Sequence, residues 1–390
     1  MTLLKASGRA VGIPDGTQGG SEVGHFTMGA GRIVLQPLEE INESIKNAKS
    51  QNGRSFFEKT PFKNACTHMK KSEKSALHLI GMISDQGVHS DIRHLFALLE
   101  LAKKEGAFPV FIHAITDGRD VPEKTARNFI KQITDKITEL GLHERMSEGP
   151  RKAQIASIIG RYYAMDRDSN WDRTQKAYDL MTLGQGIEET DPQNAIDHAY
   201  ERGVKTDYYI DPIILNKSGV IKDKDSVIFW NFRTDRARQL ATLFTGEKEM
   251  TSPTVKPYFV CMTKYSEKAA IVFSPAKVQN NLGQVISNHG LSQLRIAETE
   301  KYAHVTYFFN SQVETPFSKE ERIMIDSPKC PSYAEKPEMS AREITEKLLE
   351  RIDKIPGGEK GTPPLIVLNF ANLDLVGHSG DLKATIEAVE

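Results

Sequence analysis

Short runs of apolar residues recur along this chain, and each leads into a polar cluster and then into a segment of helical periodicity. The clearest runs are residues 76–83 (ALHLIGMI), 109–115 (PVFIHAI), 153–159 (AQIASII) and 226–230 (SVIFW). Runs that are apolar on both strand faces, alternating with amphipathic helices, indicate a largely parallel sheet covered on both sides. The pattern therefore predicts an α/β fold, with helices over about 92–102 and 122–140.

Polar clusters follow four of these runs, and each cluster contains His, Asp or Arg. They are residues 85–90 (DQGVHS), 117–120 (DGRD), 160–168 (GRYYAMDRD) and 231–236 (NFRTDR). In open α/β sheets, ligands bind beyond the carboxyl ends of the strands. We therefore expect these clusters to lie close together and to form a ligand site.

Length and composition restrict the class of protein. A chain of 390 residues is longer than one compact core usually holds, so two domains are expected. The 51 Lys and Arg residues balance the 52 Asp and Glu residues, which argues against nucleic acid or an anionic membrane as a bulk electrostatic partner. Three cysteines without a CxxC pair argue against a disulfide framework or a zinc–thiolate site and suit a reducing compartment.

The sequence also predicts a cytoplasmic location and an incomplete chain. No apolar run approaches the ~20 residues that cross a bilayer, and residues 1–16 lack the layout of a signal peptide. Met1 opens directly into a glycine-rich stretch with no preceding strand, and residues 382–390 have a helical pattern without a stop signal. We expect a fragment of a longer protein.

Arginines are concentrated just after the predicted strands. A planar guanidinium binds carboxylate or phosphate oxygens in pairs, so several of them in one cleft would suit a small molecule that carries both groups. Any single arginine is better explained as solvated or paired with a neighbouring acid, but the set favours binding. The set comprises Arg119, Arg161, Arg167, Arg233 and Arg236.

Ser21 lies in the segment GGSEVGH, residues 19–25. The glycines allow close backbone approach, and a serine that opens a helix could act as a nucleophile if a metal or base lowered its hydroxyl pKa. The alternative is a helix N-cap, and spacing alone favours this alternative.

Two further patterns suggest metal or phosphate chemistry. Asp374 and His378, in DLVGH, are four residues apart, which places a carboxylate and an imidazole on one helix face. Oxygen and nitrogen ligands suit manganese or zinc, but two ligands are too few for a catalytic site. The alternative is a surface Asp that caps a helix next to an unrelated His.

His89 follows a predicted strand, so a catalytic or phosphate-contacting role is at least as probable as a structural one. Lys301 lies among acids and resembles a solvated charge run.

Taken together, these segments resemble the cofactor-independent phosphoglycerate mutases of the alkaline phosphatase superfamily. The matching segments follow the family order from Gly19 to Gly380 and cover nearly the whole chain. They are GGSEVGH, SDQGVHS, DGRD, GRYYAMDRDSNWDR, NFRTDR, LRIAETEKYAHVTYFF, KPEMS and DLVGHSG. The long GRYYAMDRD and RIAETEKYAHVT segments are highly specific.

The resemblance implies an enzyme that interconverts 3-phosphoglycerate and 2-phosphoglycerate, without bisphosphoglycerate, through a phosphoserine at Ser21. It implies that the substrate contacts a defined set of side chains and that two divalent metal ions, usually manganese, are bound. Asp374 and His378 would be ligands of one of these ions, and Ser21 is also among the expected metal ligands. Members of the family are usually monomeric. The implied substrate-binding residues are His89, Arg119, Asp120, Arg161, Arg167, Arg233, Arg236 and Lys301.

The resemblance also implies two domains. Residues 37–276 would form an inserted phosphotransferase domain, and residues 1–36 with 277–390 would form an incomplete phosphatase-like metal domain. The family's LDG strand and its later Asp-His pair and His are not in this sequence, so we expect this chain by itself to have little or no activity. Gly20 stands where Asn is usual. The alternatives are a related metallo-phosphatase or phosphopentomutase, or a degenerate fragment that binds phosphorylated acids.

Overall fold

A computed structural model describes residues 3–48, 55–146, 151–249, 254–274, 277–352 and 365–390. The chain divides into two compact units, one of residues 1–36 with 276–390 and the other of residues 37–275. The sequence-based boundaries lay at 36/37 and 276/277. Among the described residues, no helix has both the length and the apolar composition to cross a membrane.

The described residues form eleven strands and fourteen α-helices. The strands are β1 (Leu77–Ile83), β2 (Val110–Thr116), β3 (Ala153–Gly160), β4 (Ile187–Glu188), β5 (Ile213–Ile214), β6 (Ser226–Phe229), β7 (Tyr258–Cys261), β8 (Ala270–Ile271), β9 (Gln293–Glu298), β10 (Glu320–Ile325) and β11 (Leu365–Asn369). The helices are α1 (Ser21–Ala30), α2 (Pro37–Lys46), α3 (Thr60–Met69), α4 (Ile92–Glu105), α5 (Ala126–Glu139), α6 (Arg161–Ala164), α7 (Trp171–Leu183), α8 (Pro192–Glu201), α9 (Arg238–Phe244), α10 (Leu282–Asn288), α11 (Thr299–Ala303), α12 (Ala341–Ile352), α13 (Asn372–Gly377) and α14 (Leu382–Val389).

The unit of residues 37–275 is built on an eight-stranded sheet of order β4-β5-β3-β2-β1-β6-β7-β8. All its pairs are parallel except β3 with β5. Every residue of β1 and β2 is buried, as expected for central strands covered on both faces. The predicted α/β fold is therefore confirmed.

Helix α4 matches the sequence pattern, but helix α5 begins later than expected. Gly106 ends α4 in the left-handed conformation, which glycine adopts without strain. The expected helix start near residue 122 is wrong, because Asp207 caps the helix at backbone N–H groups that come after residue 122. Its Oδ2 accepts hydrogen bonds from the backbone N–H groups of Thr125 (2.7 Å) and Ala126 (2.8 Å), and α5 starts there.

A tryptophan packs against the middle of the central strand β1. The side chain of Trp230 is fully buried, and its Nε1 donates to the carbonyl oxygen of Met82 (3.2 Å). Gly81 makes this approach possible, since an added Cβ would come within 2.4 Å of the indole ring. A side chain at position 81 would therefore clash with the core.

A chain of buried polar side chains crosses the same sheet. His78 Nε2 lies 3.2 Å from Asp225 Oδ2, His78 Nδ1 lies 3.0 Å from His113 Nε2, and His113 Nδ1 lies 2.8 Å from Ser157 Oγ. The backbone N–H groups of Ala76 and Lys222 also donate to Asp225. With His78 Nε2–H donating to Asp225 and His113 Nε2–H donating to His78 Nδ1, each contact joins a donor to an acceptor. Burial, followed by the proximity of His78, holds the pKa of His113 well below its usual value.

The unit of residues 1–36 and 276–390 contains a three-stranded parallel sheet of order β10-β9-β11. Strand β10 lies within residues 312–343, a polar region with few apolar runs. Its residues are mostly half-buried at a sheet edge, so Glu320, Glu321 and Arg322 interrupt the apolar pattern by which the other strands were found. Residues 355–364 (IPGGEKGTPP) have the glycine and proline content of a loop and lie outside the described residues.

Candidate active site

The predicted polar clusters of the 37–275 unit do converge, because their strands are neighbours. Strands β3, β2, β1 and β6 are adjacent and parallel, so their carboxyl ends share one edge of the sheet. The clusters that contain His89, Asp120, Arg161 and Arg233 follow these four ends.

Arg161 is held between two carboxylates at this edge. Its Nη1 donates to Asp117 Oδ1 (2.6 Å) and to Asp120 Oδ2 (2.6 Å), and the whole residue is only 2% exposed. Its Nε has no hydrogen-bond partner among the described residues. Asp117, which the sequence analysis did not single out, is therefore part of the site.

His89 lies between two acids of this cluster. Its Nε2 is 3.9 Å from Asp120 Oδ2, and its Nδ1 is 3.9 Å from Asp235 Oδ1. Burial, followed by the positive charges of Arg161 and Arg233, lowers the pKa of His89 to about 3. His89 is therefore neutral near pH 7 and can donate or accept a hydrogen bond without adding charge.

Asp235 brings two more of the predicted arginines together. Arg167 Nη1 donates to its Oδ2 (3.0 Å), and Arg233 Nε donates to its Oδ1 (3.1 Å). Burial alone would raise the pKa of Asp235, but the charge of Arg233 and the hydrogen bond from Arg167 lower it overall. Both guanidinium groups remain about half exposed, so they can also reach a ligand.

Arg236 completes the group. Its Nη1 donates to the carbonyl oxygen of Met165 (3.1 Å). Burial, and then the charges of Arg167 and Arg161, lowers its pKa, and Arg119 acts in the same direction. Arg161, Arg167 and Arg233 thus pair with three carboxylates, and the charges of Arg119 and Arg236 act in the same group. A group that contains more guanidinium than carboxylate side chains suits a small anion. We call the following set the arginine cluster: His89, Asp117, Arg119, Asp120, Arg161, Arg167, Arg233, Asp235 and Arg236.

In the other unit, Ser21 is not a helix cap, and the interpretation that spacing favoured is wrong. Gly20 takes the N-cap position with extended backbone angles, and Ser21 is the first residue of α1. The Ser21 hydroxyl instead accepts a hydrogen bond from Lys301 Nζ (2.9 Å). Positive charge at this oxygen favours the deprotonated form of the hydroxyl.

Lys301 is not part of a solvated charge run. The residue is 5% exposed and lies in α11, just beyond β9. Its ammonium group also donates to the carboxylate of Asp374, in the first turn of α13 beyond β11. Since β9 and β11 are adjacent parallel strands, their ends bring Lys301, Asp374 and Ser21 together.

The proposed metal ligands fit a divalent ion in kind but not in number. Asp374 Oδ1 lies 3.5 Å from His378 Nε2, so the spacing of four residues does place both on one face. Oxygen and nitrogen donors suit manganese. However, the described residues contain no group of three His, Cys, Asp or Glu side chains that could hold a metal ion. We therefore derive no reaction step through a metal.

Two histidines next to Ser21 were missed. His25 Nδ1 lies 2.8 Å from the carbonyl oxygen of Ser21, and its Nε2 lies 3.1 Å from Asn369 Nδ2. The ring of His304 lies 5.5 Å from that of His25. Burial, followed by the charge of Lys301, lowers the pKa of His304 to about 4. The position of His25, one helical turn after Ser21, was the available signal.

Comparisons with known proteins agree on one family. A sequence model described as the N-terminus of the BPG-independent PGAM matches residues 41–267. Two curated relatives, from Moorella thermoacetica and Methanosarcina barkeri, are named 2,3-bisphosphoglycerate-independent phosphoglycerate mutase, the second with the suffix 1. Each is 46% identical over all of this chain, which covers 73% and 72% of their lengths, respectively.

A solved structure supports the same assignment. The crystal structure of Leishmania mexicana phosphoglycerate mutase at low cobalt concentration matches all of this chain and 70% of that chain, with a TM-score of 0.63 and 31% identity. These similarities do not favour a metallo-phosphatase, a phosphopentomutase or a degenerate binding fragment. The chain belongs to the 2,3-bisphosphoglycerate-independent phosphoglycerate mutases, which are isomerases that act as intramolecular phosphotransferases.

Proposed function

We propose that this chain binds 3-phosphoglycerate through its arginine cluster and transfers the phosphoryl group through Ser21 and Lys301. The observation that carries the proposal is the pairing of Arg161, Arg167 and Arg233 with three carboxylates beside the neutral His89, together with the charges of Arg119 and Arg236. Phosphoglycerate has a phosphate and a carboxylate, and guanidinium groups bind both in pairs. The substrate residues proposed are His89, Arg119, Asp120, Arg161, Arg167, Arg233, Arg236 and Lys301.

The reaction begins with attack of the Ser21 hydroxyl oxygen on phosphorus. The bond from phosphorus to the glycerate oxygen breaks, the serine gives up its proton, and the released glycerate hydroxyl gains one. Lys301 donates a hydrogen bond at the oxygen of Ser21 and supplies positive charge where negative charge develops.

The second half returns the phosphoryl group to the other hydroxyl of the glycerate. The arginine cluster keeps the glycerate bound while it reorients, and misplacement of a reactant by about 1 Å can cost about a hundredfold in rate. We assign substrate binding to the 37–275 unit. The nucleophile belongs to the unit of residues 1–36 and 276–390.

Divalent metal ions, most often manganese in this family, belong to the proposal as well. Asp374 and His378 would hold one ion together with the Ser21 oxygen. A cytoplasmic location and a monomeric state are also part of the proposal.

Trapping the phosphoserine tests this function. The chain is incubated with 3-phosphoglycerate and manganese, quenched in acid, and analysed by peptide mass spectrometry, with Ser21→Ala as the matched control. Because trapping needs only one turnover, we expect a phosphoryl group on the peptide that contains Ser21 even if the steady-state rate of this chain is low, and none in the variant. Phosphate on another residue, or no phosphate although calorimetry shows substrate bound, would contradict the role of Ser21.

A further inference from the structure

One carboxylate joins the ends of three neighbouring strands of the large sheet. Ser84, Asp117 and Arg161 are each the first residue after β1, β2 and β3. The register continues to the strand ends, where Ile83 pairs with Thr116 and Thr116 pairs with Gly160. Side chains that follow these residues therefore lie side by side, and Asp117 occupies the middle of the row.

Asp117 accepts four hydrogen bonds there. Ser84 Oγ donates to its Oδ2 (2.7 Å), while Arg161 Nη1 (2.6 Å) and the backbone N–H groups of Arg119 (3.2 Å) and Asp120 (3.0 Å) share its Oδ1. Its side chain is fully buried. Three of the eight proposed substrate residues thus donate to this one buried carboxylate.

We propose that Asp117 is a positioning residue for phosphoglycerate, which orients Arg161 and the Arg119–Asp120 turn. The inference rests on the proposed function of the arginine cluster. Arg161 also donates to Asp120, but the backbone N–H of Asp120 donates to Asp117. The position of Asp120 therefore depends on Asp117, so Asp120 cannot orient Arg161 in its place. The long guanidinium side chain of Arg161 has several rotamers in isolation, and the short bond to a buried acid selects one of them.

The positioning role of Asp117 and the effect of its negative charge change the affinity for phosphoglycerate in opposite directions. Asp117 is negative and lies beside a site for an anion, so its charge by itself opposes ligand binding. If charge were its only contribution, its neutralisation would strengthen the binding of phosphoglycerate. If Asp117 positions Arg161, its neutralisation weakens binding, so the two roles predict opposite signs.

Calorimetry with 3-phosphoglycerate tests the sign. Asp117→Asn keeps the size of the side chain and a hydrogen-bond acceptor but removes the ionic partner of Arg161, and we expect Kd to rise about tenfold. Asp135→Asn is the matched control, because Asp135 is exposed on α5, lies outside the arginine cluster and contacts the side chain of Lys131. It removes the same charge and should leave Kd unchanged or slightly lower.

A double-mutant cycle excludes a general structural effect. Arg161→Met removes one of the two groups through which Asp117 acts, so Asp117→Asn should cost less affinity in that background than in the wild type. A purely structural defect would add its loss in both backgrounds. If Asp117→Asn does not fold, as judged by circular dichroism, Ser84→Ala removes only the Oδ2 donor and should raise Kd about threefold.

The outcomes are distinct. Unchanged or tighter binding by folded Asp117→Asn overturns the inference and leaves the proposed function standing, as does unchanged binding by Ser84→Ala. A full further loss in the Arg161→Met background also overturns the inference. Absence of 3-phosphoglycerate binding by the wild-type chain overturns the proposed function, and the role of Asp117 falls with it.

Discussion

Acidification from pH 7 to pH 5 should destabilise the 37–275 unit partly through His113. This imidazole is fully buried, and its pKa lies well below the usual value because of burial and the proximity of His78. The unfolded chain takes up a proton at position 113 near pH 6.5, while the folded chain does not. Stability therefore rises with pH across this range and is lost as the pH falls.

The magnitude follows from proton linkage. One group that titrates at about 6.5 when unfolded and stays neutral when folded lowers the free energy of unfolding by about 2 kcal/mol between pH 7 and pH 5. His113→Gln should remove this contribution. The variant is also less stable at pH 7, since it disturbs contacts with His78 and Ser157, so the comparison is between slopes and not between absolute stabilities.

Urea unfolding at pH 5, 6 and 7 and fixed ionic strength measures these slopes. The two tryptophans, Trp171 and Trp230, both belong to the 37–275 unit, so their fluorescence reports on this unit alone. Burial also lowers the pKa of His94, to about 4, but that residue is present in both proteins. Equal losses of unfolding free energy in the wild type and in His113→Gln would refute the reasoning.

Three further predictions concern binding, chemistry and packing. Arg233→Gln should weaken 3-phosphoglycerate binding about tenfold by calorimetry, whereas Arg238→Gln, on the exposed start of α9, should not; equal effects would argue against specific recognition. Lys301→Met should slow phosphoserine formation by about a hundredfold or more in quenched-flow mass spectrometry, and an unchanged rate would remove Lys301 from the reaction. Gly81→Ala should cost about 2 kcal/mol in urea unfolding, because its Cβ meets the ring of Trp230; an unaltered midpoint would show that the core relaxes freely.

The sequence predicted those elements whose burial alone determines their pattern. Strands β1, β2, β3 and β6 are covered on both faces and are therefore continuous apolar runs. Strand β10 was missed because polar residues interrupt its half-buried edge. The start of α5 was misplaced because Asp207, some eighty residues later, holds its first backbone N–H groups.

The arginine cluster was predictable because strand order dictates which clusters meet. The hydrogen-bond partners within the cluster could not be predicted from the sequence. Asp117 and Asp120 both belong to the DGRD segment, and the turn geometry alone decides that Asp117 points inward and accepts four hydrogen bonds. Similarly, the neighbours of Lys301 in sequence are acids, but its neighbours in space are Ser21 and Asp374.

The division of the chain into two compact units has a consequence for how mutations combine. Seven of the eight proposed substrate residues and the acids that hold them lie within residues 37–275, while Lys301, Ser21 and Asp374 lie in the other unit. Under the proposed function, affinity for the phosphorylated acid and reactivity toward its phosphorus are encoded in different stretches of polypeptide. Selection can therefore adjust one property with little change in the other. When one substitution in each unit is combined, the two fold-losses of activity should multiply.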